Sequence, residues 1–323
     1  MTPPSLSQVL HKKTMIPLLV ILLLAAIILA ALYIVYRIAF YPVPLKGDTT
    51  LSALDNPQFR AQKDRIHRMI TDMAALPYEE VSIIARDGVR LTGRYYHSRE
   101  GAPLDIGFHG YRGSIDRDFC GGAQISLSLG HNVLLVNERS QNGSEGRCIT
   151  FGILERLDCL DWLAYANRRF DTPPITLYGV SMGAATVLMA TELGLGDNVR
   201  GIIADSPYSA PLDIICQVGK ANMGLPPALT AVLATAAARI YGKFPLRAAA
   251  AAEAVKKATV PILIIHGEND HFVPCGMSDI IARNCASPLQ LETFPDAEHG
   301  LSFLADTPRY ERAVREFMTS LQS

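Results

Sequence analysis

The stretch Ile175-Thr176-Leu177-Tyr178-Gly179-Val180-Ser181-Met182-Gly183-Ala184 decides the fold. Apolar β-formers run from Ile175 to Tyr178. A Gly-x-Ser-x-Gly turn follows, and small helix-compatible residues start at Ala184. The pentamer alone is weak, because average Gly and Ser usage yields it by chance in roughly one chain in ten of this length. Its setting adds the weight. Between a strand and a helix, such a turn holds the serine tightly, with its hydroxyl above the sheet edge. An ordinary Gly-rich strand-to-helix turn is the bland alternative.

Outward from this turn, strands and helices alternate. Strands are expected at Leu104 to Phe108, Asn132 to Val136, Val199 to Ala204, Pro261 to His266 and Leu289 to Phe294. Helices are expected at Asp118 to Leu129, Leu154 to Arg169, Ala184 to Leu193, Gly276 to Ala286 and Pro308 to Leu321. Apolar strands separated by amphipathic helices predict a mainly parallel sheet covered on both faces. Upstream, Val81 to Ala85 and Val89 to Tyr96 flank Arg86-Asp87-Gly88, an antiparallel hairpin signal. The count is eight strands. Ser206 to Val260 breaks the rhythm, being rich in Ala, Leu and Met with Pro226-Pro227 in its middle. It reads as a helical insertion over one end of the sheet.

A serine hydroxyl needs an adjacent base, and the base an orienting acid. His299 follows the strand ending at Phe294, where loops leaving a parallel sheet collect site residues. It is the favoured base; His266, His271, His131 and His109 are rivals, with His266 read as structural. Asp270 follows the strand ending at His266 and is the favoured acid. Asp205 is the runner-up, ahead of Glu268 and Asp296. The order serine, acid, histidine suits this architecture. Phe108-His109-Gly110-Tyr111-Arg112-Gly113 also follows a strand. The backbone N–H groups of Tyr111 and Met182 are candidate donors to an oxyanion.

His109-Gly110-Tyr111, Gly179-Val180-Ser181-Met182-Gly183, His266-Gly267-Glu268-Asn269-Asp270 and Glu298-His299 together resemble the α/β-hydrolase superfamily. The chain is most similar to membrane-tethered bacterial hydrolases with esterase-like or serine-aminopeptidase-like domains. The resemblance covers roughly Glu80 to Phe317. It implies Ser181 as nucleophile, Asp270 as acid, His299 as base, Tyr111 and Met182 as oxyanion donors, and a cap from Ser206 to about Ala258. One departure is visible: relatives often open the stretch at Asn137-Glu138-Arg139 with Asp, which puts a supporting salt bridge or turn contact in doubt.

Met15 to Tyr36 holds 22 residues without a charge, roughly 33 Å as a helix and enough for a bilayer core. Tyr33, Tyr36 and Tyr41 gather at its end, where aromatic rings favour the headgroup region. The run outlasts a signal-peptide core and passes through Ala30-Ala31 into more apolar sequence, so an uncleaved anchor is expected. Lys12 and Lys13 favour a catalytic domain outside the cytoplasm; Arg37, Lys46 and the Arg60-to-Arg68 cluster pull the other way. The expected division is a tail at 1–14, the anchor at 15–36, a linker and helix at 37–78, and a hydrolase domain at 79–323 with its cap at about 206–258. The domain is expected to remain an active, soluble esterase once Met1 to Tyr41 are removed.

With 30 Lys+Arg against 31 Asp+Glu the net charge is −1, which argues against nucleic acid as a partner. Hydrophobic residues at 49% supply a full core. Six scattered cysteines, with Cys120 and Cys159 in expected helices, make no disulfide scaffold, and no metal-ligand spacing occurs. The expected enzyme is therefore a cofactor-free serine hydrolase for small-molecule or lipid-like carboxylic esters, of carboxylesterase or lipase type. A serine peptidase or amidase with the same triad is the second reading, for which Arg112, Glu138 or Glu145 would supply an anchoring charge. A catalytically inactive membrane scaffold is the third.

Overall fold

The computed structural model describes residues 6–42 and 57–321. The linker expected at Tyr41 to Asp48 lies mostly outside the described residues, as does Asn56, the first residue of a helix expected over Asn56 to Ala75. Eight strands form one sheet in the order β1-β2-β4-β3-β5-β6-β7-β8. They are β1 (Glu79–Ile84), β2 (Arg90–Tyr96), β3 (Leu104–Phe108), β4 (Asn132–Val136), β5 (Ile175–Val180), β6 (Val199–Asp205), β7 (Ile262–Gly267) and β8 (Leu289–Phe294). β1 pairs antiparallel with β2, and β2 with β4; every other pair is parallel. Every residue of β3, β4 and β7 is buried, as a parallel sheet covered on both faces requires.

Twelve α-helices occur among the described residues. The first six are α1 (Leu6–Ala39), α2 (Lys63–Ala74), α3 (Ile115–Asp118), α4 (Gly122–Ser128), α5 (Glu155–Arg169) and α6 (Met182–Ala190). The others are α7 (Pro211–Met223), α8 (Pro227–Ala237), α9 (Ala251–Ala254), α10 (Gly276–Asn284), α11 (Ser302–Ala305) and α12 (Thr307–Ser320). Between β6 and β7 the chain forms α7, α8, a π-helical turn at Ala238–Gly242 and α9, with no strand.

The helix expected over Asp118 to Leu129 is two short ones. The chain breaks at Phe119-Cys120-Gly121, so Cys120 lies between helices while Cys159 lies within α5. Two interactions explain the break. The Asp118 carboxylate turns away to accept from Gly110 N–H at 2.8 Å. Gly121 and Gly122 pack so closely that an added Cβ would meet the Phe303 ring at 3.0 Å and the Tyr178 ring at 2.8 Å.

α1 is longer than the apolar run that identified it. Pro17–Ala39 is long and apolar enough to cross a membrane, and only 6% of its most apolar window is buried. Its last turns belong to the globular body. Leu32, Tyr36 and Phe40 join the main core. Tyr36 donates to the Arg147 carbonyl at 3.2 Å, and Phe40 O accepts from Ile149 N–H at 2.8 Å. A cut at Tyr41 would therefore remove contacts that the body makes with the helix end. Burying Phe40 completely ties them by about 3–5 kcal/mol, the usual cost of deleting such a ring.

Candidate active site

β5 delivers Ser181 at its C-terminal end, where the chain reverses into α6. Ser181 takes φ +53° and ψ −109°, a conformation that a side-chain-bearing residue adopts only under constraint. The flanking glycines make the turn possible. A Cβ on Gly179 would stand 2.3 Å from the Gly183 carbonyl, and one on Gly183 would stand 1.9 Å from the Phe108 carbonyl. Ser181 N–H donates to the Asp205 carbonyl of neighbouring β6 at 2.7 Å, pinning the turn to the sheet.

Asp270 and His299 arrive from the loops after β7 and β8. His299 Nε2 lies 2.9 Å from Ser181 Oγ. His299 Nδ1 lies 2.6 Å from Asp270 Oδ2. The other carboxylate oxygen, Oδ1, accepts the backbone N–H groups of Phe272 and Val273 at 2.9 and 2.7 Å. Burial alone would raise the Asp270 pKa. Hydrogen bonds from His266 and His299, the His299 charge and the Val273 N–H outweigh it and hold the carboxyl at about 2. Asp270 is thus ionised at neutral pH.

The rivals fall elsewhere. His266 is fully buried, with Nδ1 at 2.6 Å from Ser278 Oγ and Nε2 at 2.8 Å from the Val273 carbonyl. It braces the loop that carries Asp270. His131 faces Asp105 within the core, 3.1 Å away. His271 is exposed. Asp205 is buried, accepts from Tyr310 at 2.8 Å and pairs with Ser206 Oγ at 2.9 Å, so its carboxylate is engaged away from His299. Burial raises its pKa more than those bonds lower it. Glu268 accepts from Thr293, and Asp296 is exposed.

His109 has a role the sequence reading missed. Its Nδ1 lies 2.8 Å from the Gly110 carbonyl, and its Nε2 accepts the Glu138 N–H at 3.1 Å. Desolvation lowers its pKa, so the neutral ring donates at Nδ1 and accepts at Nε2. With Asp118 on Gly110 N–H, it fixes the turn that carries Tyr111. Burial pushes the Asp118 pKa up, but the Arg117 guanidinium beside it lowers it further and keeps the clamp charged. The only clue in the sequence was the position of His109-Gly110 directly after a strand. Met182 opens α6, so its N–H is among the first-turn donors without an intrahelical acceptor.

Asn137 donates to Thr92 Oγ1 at 3.0 Å. Arg139 is held instead by Asp158, with an Nε–Oδ2 distance of 2.6 Å, and by Asp87 at 2.9 Å. The ionic support that Asn137 lacks therefore comes from the hairpin turn and α5. Of the three candidate anchoring charges, only Glu138 is closed off from a substrate, while Glu145 is exposed and Arg112 lines the larger cavity at Ser181. Glu138 is buried, and desolvation raises its pKa well above the usual carboxyl range. Glu145 lies 3.7 Å from Arg90. Arg112 donates to the α1-end carbonyls of Ile38 and Tyr41.

Two cavities meet at Ser181. One, of about 170 Å³, runs under α2 past Ile66, Met69, Arg117, Tyr178, Phe303 and Tyr310. The other, of about 320 Å³, lies between α1, α7 and α8 and is lined mainly by apolar side chains. Among the described residues no group of three His, Cys, Asp or Glu could hold a metal ion.

Known proteins share this architecture. The family model described as the dienelactone hydrolase family matches residues 223–319. The uncharacterized protein YqkD of Bacillus subtilis is 24% identical over 61% of this chain and 65% of its own length, just under two thirds of that relative. The uncharacterized protein YfhR of Escherichia coli O157:H7 is 25% identical over 75% of this chain and 79% of its own. The Pyrococcus furiosus esterase Pf2001 superposes with a TM-score of 0.62 at 20% identity, covering 77% of this chain and 92% of that one. Est1E of Butyrivibrio proteoclasticus, bound to ferulic acid, superposes with a TM-score of 0.58 at 22% identity, covering 76% and 98%. Strand order, the strained serine turn and these likenesses together make the chain an α/β-hydrolase in fold.

Proposed function

We propose that the protein is a membrane-anchored serine esterase. The observation that carries this reading is the unbroken hydrogen-bonded relay from Ser181 Oγ through His299 to Asp270, at 2.9 and 2.6 Å. His299 Nε2 takes the Ser181 proton as Oγ bonds to the ester carbonyl carbon. Tyr111 N–H and Met182 N–H receive the oxyanion, each donor lowering the barrier by about 3 kcal/mol. The ester C–O bond then breaks, and His299 returns the proton to the leaving alcohol. A water, deprotonated by the same ring, attacks the acyl carbon, releases the acid and frees Ser181. Asp270 fixes the tautomer with Nε2 unprotonated and stabilises the imidazolium.

The family match and the esterase neighbours support ester hydrolysis over other chemistry. The burial of Glu138 weighs against a peptidase that anchors a charged terminus on it. The intact relay weighs against an inactive scaffold. The length of the apolar run supports a retained anchor, and the buried end of α1 requires that Leu32, Tyr36 and Phe40 stay with the body. Lys12 and Lys13 favour a body outside the cytoplasm. Burial pushes the Cys120 and Cys148 thiols up to about 12, which keeps them inert in an oxidising compartment. A C-terminal alkaline phosphatase fusion tests the orientation; a fusion inactive in intact cells would reverse it.

The central test is labelling by a fluorophosphonate probe. The wild type is expected to label and Ser181→Ala not to. A folded wild type that stays unlabelled, or labelling that survives Ser181→Ala, overturns the reading.

A further inference from the structure

The larger cavity at Ser181 is built partly by the membrane helix itself. Val35, Ile38 and Ala39, in the last turns of the apolar span, form one wall. Ile214, Val218 and Leu233 of the cap form the opposite wall, and Ser181 closes the inner end. Ile38 and Met223 line the cavity yet remain 49% and 51% exposed. They mark a mouth between α1 and the cap, on the side where α1 would meet lipid.

The cap lies against the same apolar surroundings. Tyr241 donates to the Leu29 carbonyl at 2.9 Å. Leu29 is ten residues before Ala39, roughly 15 Å deeper along a straight helix. Beside that contact the cap exposes Ile240 at 38%, next to exposed Arg239, and along its hairpin it exposes Leu229 at 45% and Val232 at 67%. No charged residue occurs from Ala221 to Ala238, across the 119° bend between the two cap helices. Exposed apolar side chains on an uncharged hairpin beside a membrane helix suit immersion in lipid rather than water.

We infer that the cap hairpin dips into the bilayer beside α1, and that the cavity between them admits the acyl chain of a membrane lipid ester directly from the bilayer to Ser181. This rests on the serine esterase reading and adds a substrate class: long-chain acyl esters that never leave the membrane. The occupant is argued from continuity, because half-exposed Ile38 belongs at once to the apolar span and to the cavity wall, and of the residues lining that cavity the polar side chains are few, Arg112 and Asn222 among them. The acyl chain lies in the apolar cavity. The alcohol portion faces the smaller cavity, which also opens at Ser181. Each methylene that enters the apolar cavity is worth up to about fourfold in kcat/KM.

The test uses the full chain in phosphatidylcholine vesicles. Hydrolysis of p-nitrophenyl acetate, added from water, is compared with that of p-nitrophenyl palmitate, incorporated in the bilayer. The wild type is expected to favour palmitate by tenfold or more. Leu229 and Val232 point outward from the cap and line neither cavity, so L229D/V232D is expected to keep acetate turnover. It should lose palmitate turnover by tenfold or more as the charges lift the hairpin out of the lipid. Val218→Trp, which fills the cavity, is expected to shift the preferred acyl chain to shorter esters. If the wild type hydrolyses neither ester, the serine reading falls and this inference with it. If acetate and palmitate are hydrolysed equally, or L229D/V232D keeps full palmitate turnover, entry from the bilayer falls while the serine reading stands.

Discussion

Replacing Asp270 by Asn removes one charge and barely alters shape, so its effect is readable from hydrogen-bond directions alone. Oδ1 accepts two backbone N–H groups, from Phe272 and Val273. The Asn carbonyl must keep that position, because turning the amide would face its NH₂ against both donors. The NH₂ then occupies the site of Oδ2, 2.6 Å from His299 Nδ1. A donor facing Nδ1 stabilises the tautomer with the proton on Nε2, so the atom facing Ser181 Oγ can no longer accept. The imidazolium formed during attack also loses its counter-charge. A change of this kind is expected to lower kcat about 10⁴-fold, equivalent to about 5 kcal/mol of barrier. Steady-state hydrolysis of p-nitrophenyl butyrate by the full chain in detergent measures it, with the rate of fluorophosphonate labelling as a second readout. Asp205→Asn is the control, expected to stay within about tenfold of wild type because that carboxylate serves Tyr310 and Ser206. A folded Asp270→Asn enzyme within tenfold of wild type would refute the relay argument, and a collapse in Asp205→Asn instead would move the acid to that residue.

The same carboxylate predicts a pH dependence of stability. Its folded pKa of about 2 lies below the ordinary 3.8, so its contribution is complete above pH 4 and disappears as pH falls through 2. The shift corresponds to about 2 kcal/mol. Denaturant unfolding of wild type minus that of Asp270→Asn between pH 5 and pH 2 should reveal it; a flat difference would contradict it. Gly183→Ala drives a methyl into the Phe108 carbonyl and is expected to cost about 3 kcal/mol or more, lowering Tm by roughly 6–12 °C. A melting curve like that of wild type would mean that strand and helix separate freely. Phe40→Ala is expected to destabilise the body by about 3–5 kcal/mol, and a chain beginning at Asp48 by at least as much; urea unfolding of an equally stable truncated chain would show the helix end to be dispensable.

The sheet was legible because its strands are short apolar runs set between amphipathic helices, a pattern that tertiary context seldom overrides. Ser181 and His299 were legible by place, one between a strand and a helix, the other just after the last strand. Asp270 and Asp205 looked alike in sequence, since both follow apolar strands. They differ only in where their oxygens point. The break after Asp118 was hidden because the carboxylate that ends α3 does so through a partner eight residues upstream. The seam between α1 and the body was equally hidden. Ile34, which is largely exposed, and Phe40, which is fully buried, are both apolar, and hydropathy does not separate an outward-facing side chain from one packed on the body. His109 was passed over as a rival base because its value lies in two backbone contacts that no spacing announces.

Tyr111 joins two parts of the molecule that sequence kept far apart. Its hydroxyl donates to the Ala39 carbonyl at 3.0 Å and its ring stacks on Phe151, while its own amide belongs to the turn beside Ser181. The end of α1 and the serine turn thus share one residue. Loss of that helix end would disturb the turn beside Ser181 as well as the core, so the two parts stand or fall together.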